Sequence, residues 1–185
     1  MKRTRKWIDG MLGYLGLAAI IVILWVGYNS KENIEPAEKY RQALPDWESS
    51  KLVDHFPKLI PANAKNLAFS SFPGFMQGGA HIQLRMELPP TEVKKLYNDA
   101  AKIAKQHHDG GNSFTLVNKR DDGLASTRPH TLDEGVYEFP EDYRIFILYA
   151  KPYKEGSDFD WNHGQSKGIV VSLQRNEVIY YAESW

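Results

Sequence analysis

Ala80-His-Ile-Gln-Leu-Arg-Met-Glu-Leu88 is the stretch that sets the fold class. Ala80, Ile82, Leu84, Met86 and Leu88 alternate strictly with His81, Gln83, Arg85 and Glu87. Successive side chains of a strand point to opposite faces, so a period of two gives one apolar and one polar face. That is the pattern of an antiparallel sheet with one face covered and the other in solvent. Pro89-Pro90-Thr91 then ends the strand and opens the main helix, over about 90–106. Val93, Leu96, Tyr97, Ala100, Ile103 and Ala104 recur at helical spacing, with Lys94, Lys95, Asp99, Lys102 and Lys105 opposite them.

Working outward, Asn66–Phe72 alternates as a strand, and Pro73-Gly-Phe-Met-Gln-Gly-Gly79 turns the chain back toward residue 80. Downstream, Phe114–Lys119 reads as a strand. Tyr143–Lys151, almost wholly apolar between Arg144 and Lys151, reads as a central one. Gly168–Gln174 and Glu177–Glu183 form a hairpin about Arg175-Asn176, where Asn tolerates the positive φ of a tight turn. Upstream, Pro36 opens a short helix over Ala37–Leu44 and Pro45 stops it; Asp46–Phe56 reads as a second short helix, with Trp47, Leu52, Val53 and Phe56 as its buried stripe. Strands either side of a helix, joined mainly by hairpin connections, make an α+β domain with a mostly antiparallel sheet and the main helix on one face.

The beginning of the chain carries a different signal. Met1-Lys-Arg-Thr-Arg-Lys6 precedes Met11–Tyr28, 18 residues without a charge. A helix crosses the hydrocarbon core with about 17–25 apolar residues. Trp7, Trp25 and Tyr28 stand where interfacial aromatics belong. No Ala-x-Ala site follows to mark a cleaved signal, and no cysteine is present to carry a lipid. Residues 1–10 hold four basic residues near the apolar run, against three, interspersed with Glu32, Glu35 and Glu38, in residues 29–43. The positive-inside rule therefore keeps the N-terminus cytoplasmic. The expected organisation is a basic cytoplasmic segment 1–10, an anchor 11–28, a tether 29–36 and an extracytoplasmic domain 37–185.

Of 23 basic and 23 acidic residues, residues 1–29 hold four and one, so residues 30–185 carry 19 and 22, a net charge of −3. A mildly acidic domain without a Lys/Arg cluster has little electrostatic basis for holding phosphate backbones, which argues against nucleic acid. The lack of cysteine excludes disulfides, thiolate ligands and a cysteine nucleophile.

Chemistry-bearing patterns are sparse. Asp158-Phe-Asp160-Trp-Asn162 offers alternate oxygens to a cation, but the sixth and twelfth positions, Gly and Glu in an EF-hand, are His163 and Ile169. A polar turn is the better reading, and no metal or cofactor is expected. His107-His108, read at a helix C-terminus, suits the helix dipole better than a metal. His55 and His130 have no local partner pattern. His81, Gln83, Arg85 and Glu87 share a face that by default is solvated. Ser70-Ser71 lacks the Gly-x-Ser-x-Gly elbow, and no catalytic motif is recognisable. Phe75, Met76, Phe159, Trp161 and His163, in two loops, are the candidate binding rim.

His55-Phe-Pro-Lys-Leu-Ile-Pro61, Pro73–Gly79 and the tail Asn162-His-Gly164 with Tyr181-Ala-Glu-Ser-Trp185 resemble parts of uncharacterised bacterial proteins with one N-terminal membrane helix. The resemblance implies a bacterial cell membrane and brings no substrate, cofactor or catalytic residue. The expected function is a membrane-anchored binding or scaffolding domain with an envelope protein partner. The alternatives are a tethered hydrolase assembled only by the fold, with His163 and Asp160 as candidates, and a cation-dependent module.

Overall fold

Six antiparallel strands form one sheet. The structure, a computed structural model, describes residues 35–74, 79–111, 127–133, 135–152 and 164–184. Helix α1 occupies 35–48. It is followed by β1 (Lys65–Phe72), β2 (Ala80–Glu87), α2 (Pro90–Ile103), β3 (Gln106–Asp109), β4 (Arg144–Pro152), β5 (Gly164–Ser172) and β6 (Glu177–Ser184). The strand order in the sheet is β1-β2-β6-β5-β4-β3. The fold is α+β, with two helices on one face of the sheet. The expected strand 114–119 lies outside the described residues.

Period-two alternation in β2 does what it predicts for the helix-covered face. Ile82, Leu84 and Met86 are wholly buried and join Val178, Tyr180 and Ala182 of β6, Ile169 and Val171 of β5 and Phe146 of β4 in one cluster. Val93 and Ala100 bring α2 onto that cluster, and Tyr97 sets its ring edge-on to Phe146 at 5.0 Å. Helix α2 ends at Ile103 because Ala104 is already extended, and Lys105 donates its N–H to Ile147 O. Ile103, expected in the buried stripe, is 64% exposed. His107 and His108 therefore lie in β3 rather than at a helix end. Neighbouring strand residues face opposite ways, which removes them as a chelating pair.

Helix α1 runs through Pro45 instead of stopping there. Proline forfeits one helical hydrogen bond, a small loss so close to the last turn. Buried Tyr40, Leu44 and Trp47, at helical spacing, hold the helix on the sheet, and Tyr40 Oη donates to Pro57 O. The second expected helix, 46–56, does not form as a separate element: 46–48 end α1, and 49–55 are turns because Lys51 is left-handed, with φ 56°. Its stripe is nevertheless right: Leu52, Val53 and Phe56 are buried in the same cluster. Lys167 ties this segment to β5 by donating to Lys51 O at 2.8 Å and Asp54 Oδ1 at 2.5 Å.

The opposite face is covered too. Phe139 and Tyr143, from the segment preceding β4, pack with Ile145, Ile147, Val170, Ile179 and Tyr181 in a second cluster. Gly168 lets the Tyr181 ring lie close against β5: an added Cβ would sit 2.1 Å from Phe146 O and 2.7 Å from the ring. Burial on both faces is why β4 reads as almost continuously apolar. Tyr143 Oη donates to the buried Glu177 carboxylate.

The β5–β6 turn holds Asn176 at φ 57°, as its sequence suggests. Asp142 reaches it, accepting from Ser172 Oγ at 2.6 Å and from Arg175 Nε at 2.8 Å and Nη2 at 3.1 Å. These contacts, Arg175 first, hold the Asp142 carboxyl below its usual pKa. Asp142→Ala is expected to lower stability by about 1–2 kcal/mol, a partly exposed charge-assisted network being worth that much. Unchanged urea midpoints would show the turn forms without it.

Candidate functional site

The polar face of β2 is only partly solvated, with His81, Arg85 and Glu87 half-buried. Gln83 is wholly buried. Its Nε2 donates to Arg128 O at 2.6 Å, while its Oε1 accepts from His130 N at 2.8 Å and Thr131 Oγ1 at 3.1 Å. One amide thus satisfies three groups of an irregular segment that lies across β2 and β6, where it offsets the cost of burying their polar atoms. Glu183, on the same face of β6, is 4% exposed at its side chain. It accepts from Thr127 Oγ1, and His130 Nε2 lies 3.6 Å from its Oε1.

His81 completes this cluster. Its ring stacks on His130 with centroids 3.8 Å apart and planes within 6°, and its Nε2 is 2.9 Å from Ser70 Oγ. Burial, with repulsion from His130, lowers its pKa to about 4. A neutral imidazole beside a serine hydroxyl has the outline of a nucleophile and its base. Two facts weigh against that chemistry. The imidazolium that proton transfer would create is disfavoured at this site, and the carboxylate of Glu183 lies against His130 rather than His81. What the cluster does is seal the polar face beneath residues 127–131.

A groove of about 500 Å³ opens beside β1. Lys39, Ala43, Asp46 and Trp47 of α1 line one side, and Phe69, Ser70, Ser71 and Pro73 the other. Tyr40 fixes the helix there, its ring edge-on to Phe69 at 5.6 Å. The strand beside the groove ends the sheet, so its outer backbone groups pair with no strand among the described residues. A register shift between Lys65 and Ala68, with Asn66 at φ 49°, breaks the ladder at its start and leaves residues 68–72 regular.

Comparison with protein-family models, with curated proteins and with solved structures finds no match. The site is therefore read from its own chemistry.

Phe75, Met76, Asp158, Phe159, Asp160, Trp161, Asn162 and His163 all lie outside the described residues. The strand ends from which their loops leave are placed: Ala80 pairs with Ser184, Ser184 with Gln165, and Pro152 with Gly164. Both loops spring from one end of the sheet, the end at which the groove and the imidazole pair also lie. Among the described residues, no group of three or more His, Asp or Glu side chains is placed to hold a metal ion. No helix among them is long and apolar enough to cross a membrane, and Met11–Tyr28 is outside them.

Sequence reading missed the groove and the buried polar cluster. Ser70 is 11 residues from His81, and Gln83 is 45–48 from its partners. The one local hint was Gln83 itself, an uncharged residue on a face otherwise carrying His81, Arg85 and Glu87.

Proposed function

We propose that this chain is a single-pass bacterial membrane protein, N-terminus cytoplasmic, whose exterior domain binds an extended segment of an envelope protein along β1. The observation that carries the reading is the edge position of β1, whose regular residues 68–72 have no outer partner strand among the described residues, beside the groove walled by α1. An open edge offers a row of backbone donors and acceptors, and a neighbouring groove with aromatic walls takes alternate side chains of an added strand. Trp47 and Phe69 supply apolar contact and Lys39 and Asp46 polar ends. The anchor would hold this surface near other envelope components and raise their effective concentration.

Photo-reactive side chains placed at Ser71 and, as a control, at Lys94 on the exposed side of α2 test the reading in intact cells. Adducts of defined mass are expected from Ser71 and not from Lys94. Equal labelling, or none from a folded protein, would overturn it. For orientation, a phosphatase active only outside the cytoplasm should work when fused after Trp185. Silence from a stably expressed fusion would reverse the topology.

A further inference from the structure

We infer that the segment received along β1 is β1 of a second copy of this chain, docked about a two-fold axis through the groove. The inference rests on the edge-binding reading above and names its occupant. Lys39, Ala43 and Asp46 form one stripe of α1, at i, i+4 and i+7, all facing the groove. The helix span 39–47 covers about 12 Å and the strand span 69–73 about 13 Å, so the two walls match in length.

A two-fold axis perpendicular to the sheet makes β1 antiparallel to its copy, the sense of every existing pair in this sheet. The same operation puts both α1 helices on one face, antiparallel and centred near Ala43. Lys39 of each copy then stands opposite Asp46 of the other, twice over, and the small Ala43 allows the helices to approach. This stripe is self-complementary only under that symmetry, and an isologous contact requires such matching. Both charges are available. Lys39 is 60% exposed, with a surface ion pair to Glu35 at 2.6 Å, and Asp46 is exposed. The register shift at 65–68 limits pairing to the regular part of the strand, and the two-fold contact closes as a pair because it uses the same edge of both copies.

The full chain contains no cysteine, so Ala43→Cys, made in the full chain and purified in mild detergent, reports only on itself. It should form a disulfide-linked dimer under mild oxidation, whereas Lys94→Cys should not. On the Ala43→Cys background, Lys39→Asp or Asp46→Lys should each cut dimer yield about tenfold, two repulsive contacts replacing two attractive ones. The double exchange should restore it. An unchanged melting temperature would confirm that these surface changes spare the fold. Self-association through the apolar N-terminal segment would ignore all three variants. No dimer from folded Ala43→Cys, single exchanges without effect, or a double exchange that fails to rescue would each overturn the second copy as occupant. Adducts from Ser71 to a different protein would then leave the edge-binding reading standing, and no adducts at all would remove both.

Discussion

Leu84→Asp and Gln83→Lys, changes at neighbouring positions of β2, are both expected to destabilise the domain strongly, the first enough to unfold it. Leu84 is wholly buried in the cluster to which both helices and strands β2, β4, β5 and β6 contribute. An unpaired carboxylate there has no partner, and the cost of several kcal/mol is comparable with a total stability of roughly 5–15 kcal/mol. Gln83→Lys discriminates between two pictures of the sheet. On a solvated face it would be nearly neutral. Beneath residues 127–131 it puts an ammonium against the N–H of His130 and the hydroxyl of Thr131, which lose their acceptor. A loss of about 2–4 kcal/mol is expected. Urea melts of residues 30–185 measure both variants, and wild-type stability for Gln83→Lys would show the face to be open.

Stability is also expected to fall by roughly 3 kcal/mol as pH drops from 6.5 to 4, through His55. Its side chain is 9% exposed. Its Nε2 lies 2.9 Å from Gly168 O and 3.2 Å from Tyr181 O, register partners in β5 and β6. Burial is the main cause that lowers its pKa from 6.5 to about 4, outweighing the favourable contacts with those carbonyls and Asp54. The folded state thus resists protonation while the unfolded state accepts a proton from about pH 6.5 downward. The contribution is whole above pH 6.5 and is lost on the way to pH 4. His81, lowered for the same first reason, adds to the loss in the same direction. His55→Gln should reduce the pH dependence of the urea midpoint between pH 4 and 6.5, leaving the part due to His81. A wild-type curve already flat there, or an acid loss undiminished in His55→Gln, would place the buried proton acceptor elsewhere.

The amino-acid sequence alone determined the elements whose identity is periodic. Alternation at 80–88 defined β2 and its buried side, the stripe from Val93 to Ala104 defined α2, and the apolar run from Tyr143 defined β4. The Arg175-Asn176 turn defined the last hairpin. Each is a local pattern, because a period of 2 or 3.6 is set by backbone geometry within a few residues. Tertiary structure alone decided the rest. β3 is only four polar residues, Gln106–Asp109, and is a strand because β4 pairs with it. Pro45 stays helical because Tyr40, Leu44 and Trp47 are held by the sheet. The polar face of β2 closes because residues 127–131 supply partners to Gln83 from 45–48 positions away. The groove beside β1 exists because Tyr40 docks α1 against Phe69, and no spacing within either segment encodes that contact. Backbone periodicity reports which residues share a face, while what covers the face depends on contacts between segments distant in the chain.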